Sequence, residues 1–276
     1  MAASNNILHI WNDNGVIMEY DPLKNKLETA ISLFPALRRV LYGLMDILLL
    51  RQRYIKREML KRYKQCDDLR FYDAGAGFCQ YSCFVLSNWK HATVHASDLK
   101  SNYLASFANY AASFAPKRFS YIAADLQDYV PKGMFDLATA IDILEHIEND
   151  MAVLTNFHSA LVPGGVLIIS TPSDTDPAAK FTAEHVRPGY AKDELEVKLI
   201  NAGFVIDKSI YTYGFWGRIS WKLMMKYPMQ LAARKLYPLL ILYYLVVYPV
   251  SEILMQLDIR SKNSSGTGIM VVAHKP

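Results

Sequence analysis

The chain has 276 residues, 52% of them hydrophobic, and a formal net charge of +4. That length supports one well-buried domain with additions better than two ordinary domains, and the modest charge lacks the dense basic stripe of a nucleic-acid binder. The three cysteines, Cys66, Cys79 and Cys83, are odd in number and lack the C-x-x-C spacing of a zinc or redox site, which predicts a reduced, cytoplasmic setting.

Residues 1–34 mix short apolar runs with Asn, Asp and Gly. No basic segment followed by an apolar stretch occurs at the start, so no secretory leader is expected. From Pro35 apolar residues recur at helical spacing (Leu37, Val40, Leu41, Leu44, Ile47, Leu48), and the second half of the pattern is strongly basic, from Arg51 to Lys64. Residues 1–65 are therefore expected to form an N-terminal helical cap.

The stretch Arg70-Phe-Tyr-Asp-Ala-Gly-Ala-Gly-Phe-Cys begins as a short buried strand, reaches Asp73, turns through Gly75 and Gly77, and enters a helical pattern. Such a turn lets backbone approach a ligand where a Cβ would block it, and it presents the N–H groups of a helix start. Strand patterns follow at 92–97, 119–124, 135–141 and 165–171, alternating with helical ones at 101–113 and 149–161. This alternation predicts an α/β fold, a doubly wound and mostly parallel sheet with helices on both faces. Asp73, Asp98, Asp125 and Asp142 all fall at carboxyl ends of strands, where open α/β sheets bind ligands.

The series resembles the class I S-adenosylmethionine-dependent methyltransferases, in particular the small-molecule branch with the ubiquinone-biosynthesis O-methyltransferases. The motifs lie in the family order over residues 66–211 with a last strand in 266–276. The resemblance implies a Rossmann-like, seven-stranded sheet with S-adenosylmethionine as cofactor. It places Asp73, Gly75 and Gly77 at the methionine part, Asp98 with Leu99 at the ribose, and Asp125 and Leu126 at the adenine, with Ile141 at the end of the fourth strand. Leu144-Glu-His146 matches the turn after that strand, and Leu161-Val-Pro-Gly-Gly165 the loop before the fifth. Cys79 departs from the pattern, standing where the family usually has a third glycine.

Methyl transfer from a sulfonium mainly requires positioning the acceptor and excluding water, and a hydroxyl acceptor also benefits from a base. His146, His185 and Tyr190 are the candidate catalytic residues, expected to face one pocket. Asp142, Glu145 and His146 form a cluster of the kind that binds magnesium, but a hard cation wants more oxygen ligands, and no metal is predicted.

Residues 212–265 exceed what a turn between the last two strands needs. They are expected to form a hydrophobic helical insertion. Its apolar run, Leu236–Val250, is about fifteen residues long and interrupted by Pro238, shorter than a bilayer requires. Its Trp, Lys and Arg residues suit a membrane surface, and a hairpin packed on itself is the competing expectation. The functional expectation is methyl transfer to a hydrophobic small molecule (a quinone precursor, phenolic lipid or polyene-type compound), at oxygen, by a protein of the cytoplasm or peripheral on the inner face of a membrane. The alternatives are an N- or C-methyltransferase of a soluble metabolite, and a non-catalytic cofactor-binding or membrane-scaffolding protein.

Overall fold

The computed structural model describes residues 31, 35–175 and 186–276. Two helices, α1 (Pro35–Leu48) and α2 (Leu50–Tyr63), precede β1 (Arg70–Ala74), α3 (Gln80–Asn88), β2 (Thr93–Asp98), α4 (Ser101–Ala112) and β3 (Phe119–Ala123). Then come β4 (Phe135–Ile141), a 3₁₀ turn (Leu144–His146), α5 (Asp150–Ala160), β5 (Leu161–Pro172), α6 (Lys192–Asn201) and β6 (Val205–Thr212). The insertion comprises α7 (Phe215–Trp221), a π-helical turn (Lys222–Lys226), α8 (Tyr227–Ala233) and α9 (Tyr237–Arg260), and β7 (Gly268–His274) follows.

The strands form one sheet in the order β3-β2-β1-β4-β5-β7-β6, and β7 is the strand that runs against its neighbours. This is the Rossmann-like, mostly parallel seven-stranded architecture expected. Two core layers explain why the central strands are apolar throughout. Phe71, Leu137, Ile168 and Val272 bury one face against Ile55 and Met59 of α2, while their neighbours Tyr72, Ala138, Leu167 and Val271 bury the other against Leu154, Phe157, Leu195 and Leu199. Because β6 is antiparallel to β7, which is antiparallel to β5, the end of β6 at Thr212 lies on the same edge as the ends of β1, β2 and β4. The insertion therefore starts beside the ligand-binding edge.

Three local expectations change. The N-terminal helical pattern is two helices, broken where Leu49 is extended (φ −103°, ψ 102°). Leu161–Gly165, expected as a loop, already belongs to β5, and a register shift between Phe135 and Leu137 absorbs the Gly164 turn. The apolar run of the insertion is longer than its reading suggested. α9 is one helix of 24 residues, because Pro238 lies in the first turn, where no intrahelical N–H is needed, and starts the helix without interrupting it.

Candidate cofactor and methyl-acceptor site

The site is built at the junction of β1, β2 and β4. Gly75 (φ +66°) and Gly77 (φ +51°) take left-handed backbone, and the N–H groups of Gly75 and Ala76 both donate to Ser97 O at 2.8 and 3.0 Å. A Cβ on Gly75 would stand 2.3 Å from Ile143 Cγ2, whereas one on Gly77 would meet nothing within 4 Å. The first glycine is thus required by packing, and the second leaves open space beside the turn. Cys79 is also left-handed (φ 58°) and fully buried, with its thiol near Gly77 O. It occupies a backbone state that favours glycine, and its small side chain fits tightly at the start of α3.

Asp98 clamps the turn, since one carboxylate oxygen accepts from Gly77 N and the other from Lys100 N, each at 2.9 Å. Beside it Leu99 is 73% exposed, a large apolar side chain standing free at the strand end. Asp125 accepts from Gln127 N (2.9 Å), Leu126 is buried, and Gln127 Oε1 accepts from Asn149 N, joining this loop to the start of α5. Ile141 is partly buried at the end of β4.

Asp73 lies beneath the turn. Its carboxylate accepts from Ser82 N (3.0 Å), Ser82 Oγ (2.6 Å) and Thr139 Oγ1 (3.2 Å), which ties β1 to α3 and β4. Burial raises its pKa to about 7 despite those hydrogen bonds. Its contribution is therefore to shape the glycine turn from below.

The cap closes over the same edge. Tyr42 of α1 donates to Phe78 O (2.5 Å), and buried Arg38 reaches Ser106 Oγ (2.6 Å). Arg51, at the start of α2, pairs with Asp142, and its N–H donates to Tyr213 OH at 3.1 Å. Arg51 Nε, Gln80 Oε1 and Tyr81 OH are buried without a hydrogen-bond partner among the described residues, and burial pushes the Tyr81 phenol well up against the opposing pull of the nearby Arg51 charge. Unpartnered buried polar atoms carry a desolvation cost that a bound polar group relieves. With the open space at Gly77 and the carboxylate of Asp98, they fit a molecule with an amino-acid end and a ribose. S-adenosylmethionine has both.

The candidate catalytic residues separate. His146 is exposed on the 3₁₀ turn at this edge, and the neighbouring Glu145 is buried, with Oε2 accepting from Thr171 Oγ1 (3.1 Å) and its backbone carbonyl accepting from Val186 N and Arg187 N. Burial pushes the Glu145 carboxyl up. His185 lies outside the described residues. The expectation that Tyr190 lines the acceptor pocket is corrected: it is fully buried, its hydroxyl donates to Asp150 Oδ2 (2.7 Å), and Arg187 Nη1 donates to that hydroxyl. Asp150 also takes Lys198 Nζ at 3.1 Å and pairs with Arg187. This cluster fastens the loop before α6 to the start of α5, so Tyr190 acts as a strut. Sequence reading missed Asp150, whose signal was its place in the first turn of a helix. Asp142, Glu145 and His146 do not converge, and among the described residues no group of three His, Cys, Asp or Glu is arranged to hold a metal ion.

Residues 72–167 match the family model described as a methyltransferase domain. No curated protein matches the sequence. Among solved structures, the chain resembles a protein of Galdieria sulphuraria named as a putative sarcosine dimethylglycine methyltransferase (12% identity, 82% of this chain and 85% of that one, TM-score 0.58). It also resembles phosphoethanolamine N-methyltransferase 2 of Haemonchus contortus, solved with S-adenosyl-L-methionine (20% identity, 80% and 52%, TM-score 0.56), and spans about half the length of that protein. The [4+2]-cyclase SpnF has the same fold at 16% identity, over 80% of each chain, with a TM-score of 0.55.

Proposed function

We propose that this chain, a methyltransferase that takes S-adenosylmethionine as its donor, methylates a hydrophobic small molecule, at oxygen. The observation that carries the reading is the apolar extension of the site's rim. The insertion leaves the sheet at Thr212, on the cofactor edge, and opens with Phe215, 68% exposed, and Trp216, stacked edge to face at 4.9 Å between ring centroids. An acceptor approaching this edge meets aromatic surface, which favours apolar ligands by removing area from water.

When bound, S-adenosylmethionine supplies an activated methyl group, so the chain's residues have to bind, orient and exclude water. Asp98, with Leu99 beside it, is placed to accept from ribose hydroxyls, Asp125 and Leu126 to border the adenine, and the backbone at Gly75 and Gly77 to admit the amino-acid end. Arg51, Gln80 and Tyr81 supply polar partners there. His146 is the group at this edge suited to take the proton of an acceptor hydroxyl. The quinone-precursor, phenolic-lipid and polyene-type classes fit this reading, and the ubiquinone-type branch remains part of the proposal.

The fold shared with a protein named as a cyclase favours one competing reading, in which the cofactor is held but not consumed. One experiment separates the two. Lipid extracts of cells with and without the protein are compared by mass spectrometry for pairs differing by one methyl, and purified protein is assayed for S-adenosylhomocysteine release in the active fraction. Methylated partners with matching release support the reading. A product of unchanged methyl count, or methylation confined to water-soluble amines, overturns it.

A further inference from the structure

α9 has two apolar faces and only one of them is covered. Tyr54 OH donates to Asp258 Oδ2 (2.8 Å), Gly217 N donates to Asp258 Oδ1 (2.9 Å), and Arg53 Nη1 pairs with Glu252 (2.7 Å), fixing α9 to α2 and α7. At the other end Tyr243 OH and Tyr244 OH donate to Leu223 O (2.7 Å) and Met224 O (3.0 Å), carbonyls of the π-helical turn, whose wider winding breaks the regular α-helical ladder. On the opposite face Ile241, Leu242, Leu245, Val246, Val250 and Ile253 are each more than half exposed. α1 adds a second stripe, with Leu37, Val40, Leu44 and Ile47 exposed at helical spacing. Arg53 joins the two, because it reaches Asp46 O at the end of α1 as well as Glu252 in the middle of α9.

Charge identifies what this face meets. No Asp or Glu occurs between Asp207 and Glu252, while Arg218, Lys222, Lys226, Arg234 and Lys235 all lie in that interval. A recess of about 670 Å³ beside Arg53 is lined by Lys56, Arg57, Lys61 and Lys64 with Leu60 and Phe84, and its carboxylate, Asp46, is paired with Lys56. Apolar ridges flanked by cations and tryptophans match the boundary between acyl chains and anionic headgroups. Pro238–Arg260 is long and apolar enough to cross a bilayer, but crossing would pull Asp258 and fully buried Ser251 out of their seats and break every contact just named.

We propose that α9 and the α1 stripe dock the protein in the plane of an anionic lipid membrane, with Lys222, Lys226, Arg234 and Lys235 among the headgroups. The docking stands on this surface alone. That it brings the acceptor's entrance to the bilayer rests on the functional reading above.

The test uses the full chain without cofactor or acceptor. Vesicles of phosphatidylcholine, alone or with phosphatidylglycerol, are sedimented with the wild type, with Ile241→Ser/Leu245→Ser/Ile253→Ser, and with Lys222→Gln/Lys226→Gln/Arg234→Gln/Lys235→Gln. Expected are at least about tenfold tighter binding to the anionic vesicles, loss of that preference in the Gln variant, and at least about tenfold weaker binding of the Ser variant. Circular dichroism and an unchanged thermal midpoint check that the Ser variant is folded, as substitutions on an exposed face allow. The proposal is overturned if the wild type stays in the supernatant or the Ser variant binds equally. It is also overturned if light scattering shows a dimer that the Ser substitutions dissolve, making a second copy the occupant, or if alkaline carbonate fails to release the protein from membranes, the behaviour of a crossing helix. Methyl transfer that persists without vesicle binding removes only the docking, and vesicle binding without turnover removes only the functional reading.

Discussion

Replacing each glycine of the first turn by alanine separates its packing role from its cofactor role. Both positions have left-handed backbone, which costs an alanine about 1–2 kcal/mol. At Gly77 that is the whole structural cost, because the new Cβ meets no atom within 4 Å. At Gly75 the Cβ would stand 2.3 Å from Ile143 Cγ2, so Ile143 has to retreat by more than an ångström to reach ordinary contact. Overpacking of that kind adds about 1–3 kcal/mol, for a total of about 2–5 kcal/mol. Thermal unfolding without cofactor should therefore show Gly75→Ala melting roughly 2–10 °C below Gly77→Ala. Calorimetry with S-adenosylhomocysteine should show the opposite ranking of cause. Gly77→Ala, the more stable of the two variants, should bind at least about tenfold more weakly, a loss of about 1.4 kcal/mol, because its methyl occupies the space into which the cofactor backs. Unchanged affinity in Gly77→Ala would show that the cofactor does not cross this turn, and equal melting of the two variants would refute the Ile143 argument.

Asp98→Ala should weaken cofactor binding by about 1.5–3 kcal/mol, read by the same calorimetry, since it removes a charge-assisted contact and frees the Gly77 and Lys100 N–H groups from their acceptor. Asp73 has a folded-state pKa raised by burial to about 7, so its contribution to stability is fully present below the ordinary carboxylate pKa and is lost as pH rises through about 7. Urea titrations of the apo protein should show Asp73→Asn gaining on wild type between about pH 4 and 7 and little further above that, and parallel curves would sink the assignment. Tyr190→Phe should cost about 1.5–3 kcal/mol of stability by taking a hydrogen bond from buried Asp150, yet leave kcat unchanged, whereas a collapse of kcat in folded protein would return Tyr190 to the reaction. At Asp150 burial opposes ionisation, but the hydrogen bonds from Tyr190 and Lys198 and the Arg187 charge outweigh it and hold the carboxyl below its usual range. Its stabilisation is therefore present above the ordinary carboxylate pKa and lost as pH falls through the lowered value, which acid unfolding of wild type against Asp150→Asn would measure.

The order and kind of the sheet elements were legible in the residues themselves, because strand period, glycine turns and helical spacing are local properties of the chain. Gly75, Gly77 and Asp98 could be placed at one site for the same reason: a βα turn and the next strand end are joined by the hydrogen bonds that define the fold, Gly75 N to Ser97 O and Gly77 N to Asp98. What a side chain faces is decided by partners distant in sequence. Tyr190, at the end of the run Glu184-His-Val-Arg-Pro-Gly-Tyr190, reads as a rim residue until Asp150, forty positions away, takes its hydroxyl. Asp73 reads as a ligand until Ser82 and Thr139 use its lone pairs from below. The insertion shows the same division, for composition marks Leu236–Val250 as apolar, but only Asp258 bonded to Tyr54 and Gly217 determines which face of α9 is buried and which is left open. Burial and desolvation act on contacts in space, and those contacts exist only once distant segments have met.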